Sequence, residues 1–467
     1  MSVSPLQASS QSERSAPHSQ ILAEFVAGLR FEALPTAVVA RAEEAFVDWF
    51  ACALASRGAR PVRILEQFAT SMGPESGPCQ VLVSRRGTSA FFAAFVNGAA
   101  SHIVELDDLH NGSILHPGTV VFPAVFAAAQ QVRASGREFL TAAVAGYEAV
   151  IRIGEFLGPA HYKTFHTTGT AGTLGAAAGV ARLLCLDPRT TQHAFGSAGT
   201  QAAGLWEFLR DAADSKPLHS GKAAADGLLS AFIAREGFTG ATQVLEGSQG
   251  LGKGMSQGAD PSRLADGLGK RWGILESSFK VHSCCGHIHP SADALLAVIQ
   301  KEGLEADDIV HVAAHVHRAA IDVLGGITNP DTVHQAKFSM NFALALIAVH
   351  GRAGLTEFTE ASLRDPRVRA FQGRVDMIFD EDIDRAPGNC WGGWVEVKTR
   401  DGRHLQNRIA APKGHPNNTL NRNQLEAKAM MLASYAGGAS PEEMRQIIAH
   451  AWNLPNEADL KHFFLAS

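Results

Sequence analysis

The chain has 467 residues, enough for two or three domains of the usual size of about 100–200 residues, and 46% of them are hydrophobic and 19% charged, as in globular proteins. The formal net charge of -5 gives no electrostatic basis for binding nucleic acid or an anionic membrane surface, so we expect neither partner. No apolar run reaches the length of a bilayer span, and residues 1–18 lack the apolar segment of a secretory signal. We therefore expect a flexible tail at 1–18 and a cytoplasmic protein.

Helical periodicity dominates from about residue 20 to residue 270. Pro35 stands before a segment with apolar residues at helical spacing, Thr36–Ala55, and suits a helix entrance. Alanine and glycine on every side of the later segments predict helices that pack closely against one another. The other predicted helices of this region are 89–106, 123–134, 137–157, 173–186 and 221–236.

The pattern changes after Trp272. Residues 309–317 and 392–399 alternate like strands, and a turn at 400–402 leads to a further strand candidate. A helix is predicted at 336–350, and C-terminal helices at 425–435 and after Ser440, a capping position. The expected fold is mainly α, with a large all-helical domain formed by residues 19–274 and 412–467 and a smaller inserted α+β lid domain at 275–411.

The most informative stretch is the charged segment at residues 105–118. It carries Glu105, Asp107, Asp108 and His116 directly after an apolar helix. One interpretation is a solvated polar loop at a helix end. However, a strongly apolar segment follows, so these groups lie between buried elements, where titratable side chains need partners and their pKa values shift. The segment is therefore a candidate for acid–base chemistry.

A second cluster lies at residues 280–289 and includes Lys280, Cys285, His287 and His289. Both histidines would share one face of a strand near two thiols, which raises metal binding, but the Cys-x-x-His spacing has no matching pair elsewhere. Without a metal, Lys280 and its neighbours could remove a proton from a carbon acid. Buried structural Cys and His side chains are the other interpretation. The six cysteines do not form a disulfide framework in a chain of this size: Cys52, Cys79, Cys185, Cys284, Cys285 and Cys390.

Three further segments suggest ligand binding to different degrees. His166 precedes a glycine-rich helix start that has no strand before it, so we expect a carboxylate site rather than a dinucleotide fold. Residues 247–254 resemble a phosphate loop, but Gly254 replaces the required Ser or Thr, so ATP binding is not expected. Lys216 opens a basic helix entrance that is either solvated or a site for an anionic substrate.

Taken in order, these segments resemble the MmgE/PrpD family over nearly the whole chain after the tail. The matching pieces are 106–108 with 116–117, 165–166, 216–221, 237–240, 245–247, 279–280 and 414–416. The resemblance implies a helical domain with an α+β lid, a homodimer, an active site between the domains, and no metal or organic cofactor. Known activities in the family are dehydration of 2-methylcitrate, decarboxylation of cis-aconitate and epimerisation of iminodisuccinate, so we expect a small di- or tricarboxylate substrate.

The resemblance also shows departures from the decarboxylase branch. That branch has Asp, Thr and His where this chain has Glu105, Leu109 and Cys285, which argues against decarboxylation. The other functional positions of the branch match here, and they suggest that carboxylate binding persists: His116, His166, Lys216 and Lys280.

Cys285 in place of an imidazole favours proton exchange at a carbon next to a carboxylate, and the main hypothesis is an iminodisuccinate epimerase. The alternative is a dehydratase of 2-methylcitrate or a similar hydroxy acid, and a third possibility is a catalytically silent polycarboxylate-binding protein. The predicted catalytic residues are Lys280, Cys285, His116 and His166. The predicted substrate-binding residues are Lys216, Glu105, Asp107, Asp108 and His289.

Overall fold

The computed structural model describes residues 16–211, 213–386, 391–461 and 463. Residues 1–15 of the predicted tail and Cys390 lie outside the described residues, and residue 18 already belongs to the first helix. The fold is mainly α, as predicted, with a small sheet in the C-terminal part of the chain. None of the helices in the described part of the chain combines the length and apolar character that crossing a membrane requires.

The first part of the chain is helical, and each predicted helix overlaps an observed one. Thr36–Ala55 has the predicted bounds, but α5, α7 and α9 start a turn or more earlier than predicted. In α7 and α9 the first turns carry mostly small and polar residues, which give no apolar periodicity. The helices are α1 (His18–Gly28), α2 (Thr36–Ala55), α3 (Arg60–Met72), α4 (Ala90–His102), α5 (Gly118–Val132), α6 (Gly136–Tyr162), α7 (Thr167–Leu183), α8 (Pro188–Gly199), α9 (Ser215–Arg235) and α10 (Leu251–Met255). Short strands pair as β1 (Cys79–Gln80) with β2 (Gly87–Thr88) and as β3 (Leu109–His110) with β4 (Ser277–Ser278).

Helices α4, α5, α6, α7 and α9 pack closely against one another. A Cβ on Gly172 of α7 would lie 2.9 Å from a methyl group of Val120 on α5, and one on Gly98 of α4 would lie 3.1 Å from the Cα of Gly221 on α9. Both distances are shorter than ordinary van der Waals contact, so the absence of a side chain is what lets these helix axes approach. The alanine- and glycine-rich pattern of the sequence is therefore explained by close helix packing.

The C-terminal part contains a four-stranded sheet in the order β6-β5-β7-β8. β5 pairs in parallel with β6 and antiparallel with β7, which pairs antiparallel with β8. Three of these strands were predicted, whereas β6 was missed because as an edge strand only its first residue is fully buried. The strands are β5 (Ile309–Val316), β6 (Val375–Phe379), β7 (Gly393–Thr399) and β8 (His404–Ile409).

Among the described residues, seven α-helices lie between the start of this part and its third strand, and two more follow the last strand. They are α11 (His289–Glu302), α12 (Arg318–Leu324), α13 (Val333–Ala336), α14 (Met340–His350), α15 (Glu360–Arg364), α16 (Pro366–Gln372), α17 (Glu381–Asp384), α18 (Arg422–Tyr435) and α19 (Pro441–Ala451). Ser440 caps α19 as predicted, by accepting a hydrogen bond from the backbone N–H of Glu443.

One predicted helix of this part begins later than predicted, and one predicted strand is absent. The helix predicted at 336–350 is interrupted at residues 337–339, because the Ser339 hydroxyl caps α14 and Lys337 turns inward to donate to the carbonyl of Val104 at 2.9 Å. The strand that would align His287 and His289 is absent. A 3-10 turn, Gly286–Ile288, leads directly into α11, whose first turn contains Pro290.

The described residues form two hydrophobic cores. The larger core joins residues from both ends of the chain, from Leu22 to Phe279 and from Leu420 to Phe463, together with Leu355, and α18 packs on α2. The smaller core contains only residues between Cys284 and Val397. We propose the division into a helical domain, 19–274 with 412–467, and an α+β domain, 275–411, and the separation of the two cores supports it.

Candidate active site

The charged segment after α4 is held against the chain that leads to Lys280. The antiparallel pairing of β3 with β4 places Leu109 opposite Ser278. Ahead of β4, the buried carboxylate of Glu148 accepts hydrogen bonds from the backbone N–H groups of residues 273 and 274, each at 3.1 Å. These contacts fix both segments side by side, although they are far apart in the sequence.

Glu105 bridges two buried lysines. The ammonium of Lys216, at the start of α9, donates to Oε1 of Glu105, and the ammonium of Lys280 lies 3.2 Å from Oε2. All three side chains are at most 4% exposed. Burial alone would raise the pKa of Glu105, but the charges of Lys216 and Lys280 outweigh it and hold this pKa well below its usual range. Glu105 also adopts a left-handed backbone conformation with φ of 58°, which is uncommon for a residue with a side chain.

Asp107 binds two imidazoles. Its Oδ2 lies 2.8 Å from Nδ1 of His102 and 3.0 Å from Nδ1 of His116. Burial would raise the pKa of Asp107, but the two histidines lower it well below its usual value, and burial lowers the pKa of His102 to about 4. Asp107 is therefore an ionised carboxylate that is hydrogen-bonded to His102 and lies close enough to Nδ1 of His116 to orient that ring, although their alignment is not that of a hydrogen bond. The backbone N–H of His116 donates to the Thr168 hydroxyl on α7 at 3.1 Å.

His166 precedes α7 and is buried between aromatic rings. Its ring centroid lies 4.7 Å from that of Trp206, and its ring stacks in parallel on His102 at 5.6 Å. Nδ1 of His166 lies 3.2 Å from Nδ1 of His219, whereas its buried Nε2 has no hydrogen-bond partner among the described residues. Burial, together with nearby histidines and Lys216, lowers the pKa of His166 well below its usual value, so the ring is neutral at pH 7.

Burial also determines the state of the two adjacent thiols and of Lys280. It raises the pKa of Cys284 and of Cys285, so both thiols are protonated at neutral pH. Burial alone would lower the pKa of Lys280, but Glu105 and Asp107 outweigh it and the pKa is raised. Lys280 therefore carries a positive charge, which suits binding a carboxylate better than removing a proton.

These groups surround a small inner pocket lined by residues from two parts of the chain, 105–216 and 285–391. Its volume is about 20 Å³, enough for one water molecule but not for a polycarboxylate, so a substrate requires the surrounding side chains to move. The pocket is lined by Glu105, Leu109, Ile114, His116, Tyr162, His166, Trp206, Lys216, Cys285, Gly286, His287, Phe338 and Trp391.

A larger outer cavity of about 1030 Å³ adjoins the inner pocket. The two share Ile114, Tyr162, Trp206 and Trp391, so these four side chains separate the inner pocket from the outer cavity. Ile114 has a φ of 51°, a strained conformation for a β-branched residue. A substrate that enters through the outer cavity has to displace some of these side chains.

The structure brings most of the predicted site residues together. Five of them line the inner pocket: Glu105, His116, His166, Lys216 and Cys285. Lys280 and Asp107 lie behind this wall, in contact with Glu105 and His116 respectively.

Asp108 and His289 are placed elsewhere. Asp108 accepts hydrogen bonds from the backbone N–H of Gly118 at 2.9 Å and from the Tyr147 hydroxyl at 2.8 Å, so it fixes the start of α5. Burial and the nearby Asp48 raise the pKa of Asp108 to about 8. His289 begins α11 with its ring 5.1 Å from that of His282. Their assignment to substrate binding stays a prediction that this placement does not support.

Sequence reasoning missed several site residues. His102 closes an apolar helix, and Trp206 lies in a short turn, so neither carries a local signal. Lys337 lies within a predicted helix, and the helical pattern gave no sign that its side chain turns inward to the carbonyl of Val104. His287 was noticed only as a metal ligand, because its position in a 3-10 turn at the pocket wall could not be read from a presumed strand.

Two groups of described residues have the spacing of metal ligands. One consists of His102, Asp107 and His116, and the other of His110, Glu155 and Glu276. The predicted alternative at residues 284–289 is not among them. In the first group, both Nδ1 atoms lie at ordinary hydrogen-bond distances from one carboxylate oxygen, which a simple carboxylate–imidazole contact explains. The expected absence of a metal stays a prediction.

Comparison with known proteins covers almost the whole chain. Residues 20–264 match the MmgE/PrpD N-terminal domain and residues 282–454 match the MmgE/PrpD C-terminal domain. The chain is 28% identical to the cis-aconitate decarboxylase-like protein oryM of Aspergillus oryzae, over 96% of this chain and 97% of the relative. It is 28% identical to cis-aconitate decarboxylase of Aspergillus terreus, over 86% and 87%, and 27% identical to that of Homo sapiens, over 73% and 72%. None of these relatives is named as an epimerase, so the predicted iminodisuccinate epimerase receives no support, whereas the lyase alternative is closer.

Proposed function

This chain belongs to the MmgE/PrpD family of enzymes, and on that premise we propose that it is a lyase acting on a small di- or tricarboxylate. The observation that carries the proposal is the buried carboxylate of Glu105 between Lys216 and Lys280, directly beside the Asp107–His116 pair. Cations and an oriented imidazole at one pocket are the two requirements for breaking a bond next to a carboxylate.

The lysines provide the binding half of the proposal. Three buried ammonium groups, of Lys216, Lys280 and Lys337, lie near the buried carboxylates of Glu105 and Asp107. An incoming carboxylate takes over lysine hydrogen bonds now made to Glu105, and in a buried site such charge-assisted bonds are strong. A polycarboxylate is favoured over a monocarboxylate because one carboxylate can bind the lysines while another lies at the reacting carbon.

His116 provides the proton-transfer half. It lines the pocket while its Nδ1 is held by Asp107, so Nε2 is the ring atom that remains to exchange a proton with a substrate. Cys285, whose pKa is raised by burial, and Lys280, which is held in the charged state, are weaker candidates for a base. We assign Lys216 and Lys280 to carboxylate binding and His116 to proton transfer, with the neutral His166 as a hydrogen-bonding group.

The first candidate reaction is decarboxylation of an unsaturated tricarboxylate such as cis-aconitate. The names of the relatives support it. The apolar side chains of Leu109, Phe338 and Trp391 in the pocket wall support it too, because a charged carboxylate leaves more easily as neutral CO₂ where water is excluded. The carbon–carbon bond to one carboxylate breaks and its electron pair remains on the carbon skeleton. A His116 ring that carries protons on both nitrogens gives its Nε2 proton to that carbon, becomes neutral, and takes up another proton from solvent before the next turnover.

The second candidate is dehydration of a citrate-like hydroxy acid. The observation that favours it is that Leu109 and Cys285 line the pocket, because the family resemblance implies Thr and His at these two positions in the decarboxylase branch. In this reaction one group removes a proton from the carbon next to the carboxylate, and a second protonates the departing hydroxyl. His116 and His166 lie on the same pocket wall and are the pair available for these two steps.

The test is incubation of the purified chain with cis-aconitate, 2-methylcitrate, citrate and iminodisuccinate in D₂O, followed by ¹H NMR. Decarboxylation of cis-aconitate gives CO₂ and an acid with one carboxylate fewer. Dehydration keeps all carboxylates: citrate gives an alkene with one vinylic proton, and 2-methylcitrate gives an alkene whose methyl signal changes from a doublet to a singlet. Deuterium entering an intact skeleton while the enantiomer ratio changes would mean epimerisation and would contradict the proposal. His116→Gln abolishes the reaction. His193→Gln leaves it unchanged, because His193 is on α8, has a hydrogen bond to the carbonyl of Gly240, and lines neither cavity.

A further inference from the structure

His287 lies in the wall of the inner pocket and has no assigned role. It is 1% exposed, its ring lies 4.1 Å from the ring of Trp391, and its buried Nε2 has no hydrogen-bond partner among the described residues. The 3-10 turn Gly286–Ile288 places this ring beside Glu105, Lys216 and Cys285 in the lining of the pocket. An unpartnered imidazole nitrogen in a closed polar site is costly, unless a ligand completes its hydrogen bonding.

The other nitrogen of His287 connects it to a second imidazole. Nδ1 of His287 lies 2.9 Å from Nε2 of His317, the residue that follows β5. His317 lines the outer cavity, and its own Nδ1 is buried in the cavity wall without a hydrogen-bond partner among the described residues. The two rings therefore form a chain of four nitrogen atoms that runs from the inner pocket to the wall of the outer cavity.

Such a pair of imidazoles can change the role of its inner end. When Nε2 of His317 donates to Nδ1 of His287, the inner Nε2 of His287 carries a proton and is a donor. When Nδ1 of His287 donates to Nε2 of His317, the inner Nε2 is free of its proton and is an acceptor. Moving one proton along the pair thus converts His287 from an acid into a base without moving a side chain.

We propose that His287 and His317 form a proton relay, in which His287 exchanges a proton with the substrate and His317 exchanges one with water in the outer cavity. The proposal rests on the lyase function proposed above. In the delivering direction, movement of the cavity wall admits a hydronium ion, which gives a proton to Nδ1 of His317 and leaves as water. Nε2 of His317 passes its proton to Nδ1 of His287, and Nε2 of His287 gives its proton to the substrate carbon. Each ring gains one proton at Nδ1 and loses one at Nε2, so both rings stay neutral and only their tautomers change. The pair supplies the imidazole that the pocket lacks at Cys285.

The surroundings keep the pair neutral, as a relay requires. Burial lowers the pKa of His287 well below its usual value, and the nearby His317 and Lys280 lower it further. Burial lowers the pKa of His317 to about 4, against the opposing effect of Asp384. Neither ring is trapped as an imidazolium at pH 7, so both tautomers of the pair are accessible.

The variants for the test are His287→Gln and His317→Ala, with His315→Ala as the matched control. His315 is on β5, two residues before His317, and its ring stacks on that of Trp394 at 3.7 Å, but it does not line either cavity. We expect His287→Gln to lower kcat by about 10²–10⁴-fold, the usual contribution of a general acid–base group, with little change in KM. His317→Ala lowers kcat by a smaller factor, and added imidazole restores part of it because the outer cavity offers room. His315→Ala keeps wild-type kinetics.

A second measurement does not depend on turnover. In long-range ¹H–¹⁵N spectra of histidine-labelled protein, His317→Ala should change which nitrogen of His287 carries the proton, and His315→Ala should not. If the wild-type chain converts no polycarboxylate, the proposed function fails, and the spectra still decide whether the two rings share a proton. Unchanged His287 signals in His317→Ala, or wild-type kcat in His287→Gln on an active enzyme, would overturn the relay.

Discussion

Glu105→Gln is the substitution whose effect follows most directly from the structure. Glutamine keeps the size of the side chain but removes the negative charge that two buried ammonium groups share. Lys216 and Lys280 then face each other's charge without the carboxylate that now separates them, and both are almost inaccessible to water. We expect the protein to lose stability for this reason and not through any change in packing.

The size of the loss has both a typical value and a ceiling. Removing one partner of a buried ion pair costs about 3–5 kcal/mol, because an uncompensated charge remains. A lysine left without its partner can instead release its proton. Deprotonating a lysine with a pKa of about 10.4 at pH 7 costs about 5 kcal/mol, so one unpaired lysine cannot lower the free energy of unfolding by more than this amount. We therefore expect the free energy of unfolding to fall by about 3–5 kcal/mol at pH 7.

The difference between the two proteins depends on pH in a defined direction. The pKa of folded Glu105 is below its unfolded value, so its contribution to stability is fully present above about pH 4.5 and is lost as the pH falls through the folded pKa. The free energy of unfolding of the wild type therefore approaches that of Glu105→Gln as the pH falls. A bound tricarboxylate should stabilise Glu105→Gln more than the wild type, because its carboxylate supplies the missing charge for Lys216 and Lys280.

Urea unfolding followed by circular dichroism measures these differences. Glu360→Gln is a suitable control, since the Glu360–Arg364 pair is exposed and such pairs contribute little to stability. It should stay within about 0.5 kcal/mol of the wild type. A loss below about 1 kcal/mol for Glu105→Gln at pH 7 would refute the claim that Glu105 neutralises buried charge.

Three further predictions concern activity. Lys216→Ala should lower kcat/KM about 10- to 100-fold by removing a charged hydrogen bond to the substrate, while Lys222→Ala on the same helix, whose side chain is 40% exposed, should change it little in steady-state assays. Asp107→Asn should lower kcat by about 10²–10⁴-fold at unchanged KM, because His116 loses the carboxylate that fixes its tautomer; wild-type kcat would remove His116 from its role. Exhaustive chelation should leave activity intact, and a loss that Zn²⁺ restores would instead point to a metal at His102, Asp107 and His116.

Local sequence patterns predicted the elements that rest on local chemistry. Thr36–Ala55 was found because one apolar stripe follows a proline, and the α19 cap because Ser440 and Glu443 lie at capping-box spacing. The break at Lys337 was missed because its cause is a distant partner, the carbonyl of Val104. Strand β6 was missed for the related reason that its register comes from pairing with β5.

The candidate site divides in the same way. The charged segment was recognisable because Glu105, Asp107 and His116 lie close together in sequence between apolar stretches. Their meeting with Lys216 and Lys280 depends on helix packing and on the β3–β4 pairing, which only the family resemblance anticipated. Composition alone cannot tell a site carboxylate from a structural one. Asp108 belongs to the same charged segment, but it fixes the start of α5 and does not line the pocket.

The most direct test of the proposed lyase is ¹³C NMR of the purified chain incubated with uniformly ¹³C-labelled cis-aconitate and citrate-type acids. The expected result is the loss of one bond next to a carboxylate, seen either as labelled CO₂ and bicarbonate with a five-carbon acid from cis-aconitate, or as a new pair of alkene carbons from a hydroxy acid. A full set of unchanged carbon signals, with every candidate substrate recovered intact or only inverted at one carbon, would contradict it.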